Sequence, residues 1–506
     1  MQAIAAPISF LALATLAAAP AQAQWSQEML STMRKGPVAV TVNGKSFFAG
    51  GFANIGGTET YSDVVDIYDH ASGAWTWIPL PSGARDLIGV TAVGNFVLFA
   101  GGRSSLGVSR FVDVLDTQTM NWTTANLTLA RAAIMATTVG DYAIFAGGGF
   151  LDPMGIMPSD VVDIYDASMG LLPDNPAAWS IAPPLCLARG GGAATTAGTK
   201  AIFAGGTDDL PFGTFFADVD IYDASVGPPS NSAAWSTAML SQPRAWLSAT
   251  AVDGLAYFGG GQAAGVGGGT AASAVLDIYD ASTGLWTISA LSQARSYLAA
   301  TSLGNTVLFA GGLDGGSCPS GVVDLINVGT DWATAVVLPN ARFDLCATSF
   351  DGKAMFAGGT QGPGLPSDVV DVYEPVGINY CLAETNSTGG AATISATGSS
   401  SIAANDLLLR ADSVPNQPGV FFYGPQQASV LFGNGTRCIA GQIGRLSVVN
   451  ATGNVMTYLV NNTNPPSAAT QITAGSTWNF QAWFRDPAAG GAFFDLSDGL
   501  AVTFGP

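Results

Sequence analysis

Seven arginines recur in one register along the chain: Arg34, Arg85, Arg131, Arg189, Arg244, Arg295 and Arg342. Each follows a tryptophan by nine or ten residues, as Arg34 follows Trp25 and Arg244 follows Trp235. A matching set of carboxylates lies downstream: Asp66, Asp113, Asp163, Asp220, Asp277, Asp324 and Asp371. A guanidinium presents a planar fork of donors that fits a carboxylate or another anion bidentately. The two sets therefore allow two chemistries. The arginines can bind an anionic ligand, or each can pair with its aspartate as scaffold. Seven unpaired cations around one centre would repel, so some pairing is required.

Other catalytic constellations are thin. The chain has one histidine, His70, in the turn-like DHASGAW. One imidazole cannot build a two-histidine copper site, and no Gly-x-Ser-x-Gly elbow accompanies it. Paired loop carboxylates remain possible for carbohydrate chemistry: Asp152 in GFLDPMGIM, and Asp208 and Asp209 in TDDLPFGTFFAD. Asp495 and Asp498 in DLSDG read as turn residues, without the spaced ligands of a calcium loop. No cofactor is expected.

The elements that must position these groups are visible as a repeat. FAGG or a close variant ends at Gly51, Gly102, Gly148, Gly206, Gly261, Gly312 and Gly359, every 46 to 58 residues. VVDIYD or a variant follows each one, then Trp, then Arg. Four short apolar runs thus make up each unit, as in AAIMATTV, YAIFAGG, DVVDIYD and the Trp strand. Gly-containing pairs between the first two suit tight hairpins. Four antiparallel strands per period of this length signify one blade of a propeller.

The seventh unit has no Trp strand after Asp371. The chain instead begins with one: WSQEMLSTMR at Trp25–Arg34 matches WSTAMLSQPR at Trp235–Arg244. The strand near residues 25–31 is expected to complete the last blade and close the ring.

The Gly-Gly pair, Tyr-Asp, Trp and Arg in this order resemble the kelch family over roughly residues 25–375. The resemblance implies a seven-bladed β-propeller spanning residues 24–376. In kelch adaptors that bind acidic peptides, arginines at this repeat position contact the ligand. By resemblance the seven arginines are candidates for an anionic ligand. Some kelch-like propellers are copper radical oxidases, which need two histidines; the single histidine excludes that chemistry here. Kelch-like sugar epimerases also exist.

Loops between FAGG and the third strand differ most between units, and variable loops on a scaffold are where binding usually lives. In a propeller they share a face with the Arg positions. They carry Phe52, Phe150 and Phe212 as candidate ligand contacts, with Tyr61, Arg103, Arg110, Met154, Phe215 and Phe216 nearby.

Beyond Pro375 the composition changes. Residues 380–506 alternate short β-like runs with turn signals, which reads as a β-sandwich. NQPGVFFYGPQQASVLFGNGTRC and TWNFQAWFRDPAAGGAFFDLSDGLAVTF resemble a C-terminal domain appended to many exported bacterial proteins. That resemblance implies attachment, sorting or adhesion. Related domains end in Phe-Cys-Pro, whereas this chain ends Phe504-Gly505-Pro506. Of five cysteines, Cys381 and Cys438 are the two in this region and are paired as candidates; Cys318 and Cys346 are the next pair, leaving Cys186 free.

The fold expectation is therefore all-β: a seven-bladed kelch-like propeller, then a C-terminal β-sandwich. ISFLALATLAAAPAQA ends at the small-x-small site Ala21-Gln22-Ala23, which reads as a signal peptide over residues 1–23 although its n-region lacks Lys and Arg. Secretion or surface display by bacterial-type export follows, with no transmembrane helix in the mature chain. A net charge of −19 excludes a nucleic-acid partner. The expected function is non-enzymatic binding of a protein or polysaccharide by a monomer on the Arg-lined face. A carbohydrate-modifying enzyme using loop carboxylates, and a structural adhesion protein, are the alternatives.

Overall fold

The computed structural model describes residues 25–506 except 56–57, 153–154, 209–212, 266–268, 329–332, 363 and 382. The expected signal peptide, Asp209, Phe212, Met154 and Trp332 lie outside the described residues, as does the side chain of Asp152.

The chain is all-β. Seven four-stranded antiparallel sheets occur among the described residues. Blade one comprises Val38–Val42, Lys45–Ala49, Val64–Asp69 and Ala74–Pro79, in spatial order from axis to rim. The innermost strands of the next six are Gly89–Val93, Met135–Val139, Ala193–Ala197, Ser248–Val252, Ala299–Leu303 and Cys346–Phe350. Each lies beside the inner strands of both neighbours, and the seventh lies beside the first. The sheets thus form a closed propeller of seven blades.

The second strand of each blade is its most buried element, because both its faces meet other blades. Phe47, Phe48 and Ala49 have no exposed surface, nor do Val97, Leu98, Phe99 and Ala100. Side chains from adjacent blades merge there: Phe47, Ile67 and Leu80 of blade one pack with Val97, Phe99 and Leu115 of blade two.

FAGG is explained at Gly101 and Gly102. Both have positive φ, 62° and 101°. A Cβ on Gly101 would stand 2.3 Å from the Arg131 carbonyl oxygen, and one on Gly102 2.7 Å from that of Asp86. Only glycine combines that backbone conformation with such close approach of two neighbouring linkers.

The last blade is built from both ends of the repeat region. Its strand order is Trp25–Met29, Val369–Tyr373, Lys353–Ala357, Cys346–Phe350. Gln27 Nε2 donates to Asp371 Oδ1 at 2.9 Å, and the Leu30 N–H donates to the Asp368 carbonyl at 2.7 Å. Leu30 is buried with Phe48 of blade one and Val370 of blade seven. The N-terminal strand thus removes an unpaired sheet edge.

A second compact unit holds Tyr373–Pro506. A five-stranded sheet runs in the order Ile378–Tyr380, Phe494–Thr503, Thr477–Arg485, Pro418–Gly424, Gly444–Asn450. A three-stranded sheet comprises Thr393–Thr397, Leu408–Asp412 and Val455–Leu459. Ile394, Leu409 and Met456 from the smaller sheet share one core with Phe421, Phe480, Phe484 and Leu500 from the larger. Two sheets over one core make a sandwich. Cys381 and Cys438 are joined by a disulfide. No described helix is long and apolar enough to cross a membrane.

Candidate functional site

Each registered arginine is buried and paired with the aspartate of its own blade. Arg34–Asp66 is 2.6 Å, Arg189–Asp220 2.8 Å, Arg244–Asp277 2.5 Å and Arg342–Asp371 2.5 Å. Arg85–Asp113, Arg131–Asp163 and Arg295–Asp324 pair in the same way. The guanidinium also donates to backbone carbonyls, as Arg244 Nη1 does to Gly260 at 2.6 Å and Val275 at 2.7 Å. The second carboxylate oxygen accepts from the linker that leaves the preceding blade: Ser31 N to Asp66, Thr128 N to Asp163, Ser241 N to Asp277, Ser292 N to Asp324. One Arg–Asp pair therefore ties each blade to the one before it.

This corrects the expectation of an anion-binding arginine ring. The Nε–H of Arg34, Arg85, Arg131, Arg244 and Arg342 has no partner among the described residues, yet that atom is itself buried. With no exposed guanidinium surface, the seven side chains meet the backbone and their aspartates, not a ligand. The like-charge repulsion of a bare ring is removed by one carboxylate per arginine.

The face where these arginines begin the inner strands carries a different set of groups. Two residues after each arginine the backbone turns into the left-handed region: Gly36, Leu87, Ala133, Gly191, Trp246, Tyr297 and Asp344. Their φ values run from 52° at Leu87 to 66° at Gly191. Their amides form a belt around the channel mouth. Gly36 N donates to Asp344 O, Asp344 N to Tyr297 O, Tyr297 N to Trp246 O and Trp246 N to Gly191 O. Gly191 N then donates to Ala133 O, and Ala133 N to Leu87 O. Five of the seven are not glycine, and each such residue costs about 1–3 kcal/mol of backbone strain. The belt repeats in backbone but not in side chain.

Within this crown lies a cavity of about 350 Å³, lined by Lys35, Gly36, Phe52, Glu59, Asp86, Leu87, Arg103, Ala132, Trp246, Tyr297 and Asp344. That volume fits a small ligand. Trp246 and Tyr297 stack on one another, ring centroids 5.4 Å apart and planes 22° from parallel. The Trp246 indole N–H has no hydrogen-bond partner among the described residues. Asp86 accepts from Arg103 at both oxygens, Nε at 3.2 Å and Nη2 at 2.7 Å. Arg103 also lies over the Tyr61 ring, and Lys35 lies over Phe52 with its Nζ 5.3 Å from the centroid. Burial pushes the Asp344 carboxyl up to about 6, with Lys35 opposing the shift and Asp86 adding to it. Burial and Asp344 raise the Tyr297 phenol as well.

Of the candidate loop aromatics, Phe52 lines this cavity. Phe150 pairs with Met157 in a loop hairpin and is not among its lining residues. Trp246, Tyr297, Asp344 and Asp86 were missed in the sequence; their signal is the position one or two residues beyond each registered arginine.

The remaining candidates are occupied elsewhere. His70 Nε2 is 2.8 Å from Ser46 Oγ, and its ring packs edge-on against Tyr68. No cluster of three metal-ligating side chains occurs among the described residues. Asp208 Oδ1 accepts from the Thr214 N–H within its own loop. Asp495 and Asp498 lie in the strand Phe494–Thr503, not a turn. Asp498 accepts from Ile394 N at 2.6 Å and Asn379 Nδ2 at 2.8 Å. Cys318 and Cys346 are not paired: Cys346 is buried in an inner strand with its thiol against the Ala357 carbonyl, while Cys318 sits exposed in a turn held by Asp314. Cys186 is free, and its N–H donates to Asp220 in the register where five of the other six blades use Ser or Thr.

No protein-family model matches the chain, and no curated protein matches it. A solved structure described as "Structure of YjhT" is similar at 17% identity and a TM-score of 0.46, covering 61% of this chain and 99% of that one.

Proposed function

We propose that the protein is an exported saccharide-binding protein. Its kelch-like propeller holds the ligand in the crown at the channel mouth, and the C-terminal sandwich serves as an accessory unit. The observation that carries this reading is the Trp246–Tyr297 pair in the wall of a largely apolar cavity that also has five charged side chains in its lining. Aromatic faces supply contact area to the apolar C–H face of a sugar ring, and nearby carboxylates and ammonium groups accept from and donate to its hydroxyls. Five strained residues at one register support it further, since such strain concentrates at functional sites.

The test is calorimetric titration with a panel of neutral oligosaccharides. The wild-type protein is expected to release binding heat with at least one. A Trp246→Ala, Tyr297→Ala double variant that remains folded by circular dichroism is expected to release none. Equal binding by the two proteins would refute a saccharide site at the mouth.

A further inference from the structure

We propose that the saccharide held at the mouth carries a free, protonated amino group, seated beside the Trp246–Tyr297 pair and the Asp344 carboxylate. This rests on the mouth being a saccharide site, and it goes beyond that reading by assigning the ligand's charge.

The charges left unpaired at the site point to a cationic ligand. The cavity is lined by two cationic side chains, Lys35 and Arg103, and three acidic ones, Glu59, Asp86 and Asp344. Arg103 is already committed. It is held bidentately by Asp86 and lies over the Tyr61 ring. Lys35 lies over Phe52. Among the described residues, neither Glu59 nor Asp344 forms an ion pair. The uncommitted charge of the site is therefore mainly negative.

Three features favour a cation over an anion. Asp344 follows Tyr297 directly in the backbone belt, its N–H bonded to the Tyr297 carbonyl at 3.0 Å, so carboxylate and aromatic pair are neighbours. The faces of Trp and Tyr attract ammonium groups. A chain of net charge −19 also concentrates cations and repels anions at its clefts. A uronate would meet Asp344 and Glu59 as like charges, with Lys35 as its one uncommitted cationic partner.

The groups facing Asp344 are Lys35 from the linker into blade one, Asp86 from the linker into blade two, and Tyr297 from the linker into blade six. Burial pushes the Asp344 carboxyl up to about 6. An ammonium beside it favours the ionised form and so brings it down. Binding therefore releases a proton near pH 6, and affinity for the amine rises from pH 5 to pH 7 while the amine stays protonated.

The experiment compares three β-linked disaccharides by calorimetry at low salt: one of glucosamine, one of N-acetylglucosamine and one containing a uronate. At pH 7 the amine is expected to bind about tenfold tighter than the acetamide. The preference is expected to shrink at pH 5, and to vanish in an Asp344→Asn variant whose melting temperature shows it folded. Equal affinities for amine and acetamide, or tightest binding of the uronate, would overturn this inference and leave the saccharide site standing. Absence of binding by all three would overturn both.

Discussion

Arg244 and Trp246 stand two residues apart and face different tasks. The Arg244 guanidinium is fully buried, 2.5 Å from Asp277. Trp246 is half-buried at the channel mouth and stacks on Tyr297. The same offset recurs in each blade, an inward clasp followed by an outward crown residue. The clasp has the same chemistry seven times, and the crown differs from blade to blade.

Breaking one clasp should destabilise the propeller. Arg244→Ala leaves Asp277 buried without its counter-ion, a loss of about 3–5 kcal/mol. Denaturant unfolding should show a lower midpoint for the variant. An unchanged midpoint would remove the scaffold role from the arginine set.

Removal of residues 25–31 should expose the edge of Val369–Tyr373 and strip Leu30 from the core between blades seven and one. The truncated chain is expected to melt lower and to aggregate on heating. A melting curve superimposable on that of the intact chain would show that the ring does not need this strand.

Gly101→Ala should be severe for so small a change. The new methyl group meets the Arg131 carbonyl at 2.3 Å, in a backbone conformation that alanine rarely adopts. Gly140→Ala, at a hairpin with open space around it, carries the backbone cost alone. The first variant should lose several times more stability than the second in parallel unfolding titrations.

The C-terminal unit should respond to pH through Asp495. Its Oδ2 is buried without a partner among the described residues, while Oδ1 accepts from the Leu496 N–H at 2.7 Å. Burial, with Asp486 and Glu384 adding repulsion, pushes its carboxyl up to about 6 from an unfolded value of 3.8. A raised carboxyl binds its proton more tightly in the folded state. Its contribution is full below the unfolded value and is lost as pH rises through 6, at up to about 1.4 kcal/mol per unit. Asp495→Asn should flatten this decline between pH 4 and 6 and raise stability at pH 8. An unchanged slope would show that the ionised carboxylate is accommodated.

The blades were legible because their signal is repeated. FAGG, the central Asp, Trp and Arg answer to one backbone geometry seven times over, so spacing alone located the strands and showed that Trp25–Met29 belongs to the last blade. The role of the arginines was not legible. A sequence records that Arg and Asp sets match, but not that their contacts lie beneath the surface. Resemblance to adaptors that use such arginines therefore pointed to the wrong layer. The mouth was hidden for the opposite reason. Leu87, Trp246, Tyr297 and Asp344 share a backbone state and no side-chain chemistry, so no repeat marks them. DLSDG misled as a turn because its polar residues satisfy strand and loop backbones within a buried sheet, as Asp498 does for Ile394.

On the proposed reading, ligand binding and scaffold closure reside in adjacent but separate residues. Saccharide affinity of a Trp246→Ala variant, taken with its unfolding midpoint, separates the two roles. Affinity should be lost while the midpoint stays within the range of ordinary surface substitutions. Retained affinity, or a loss of affinity that follows only from unfolding, would contradict it.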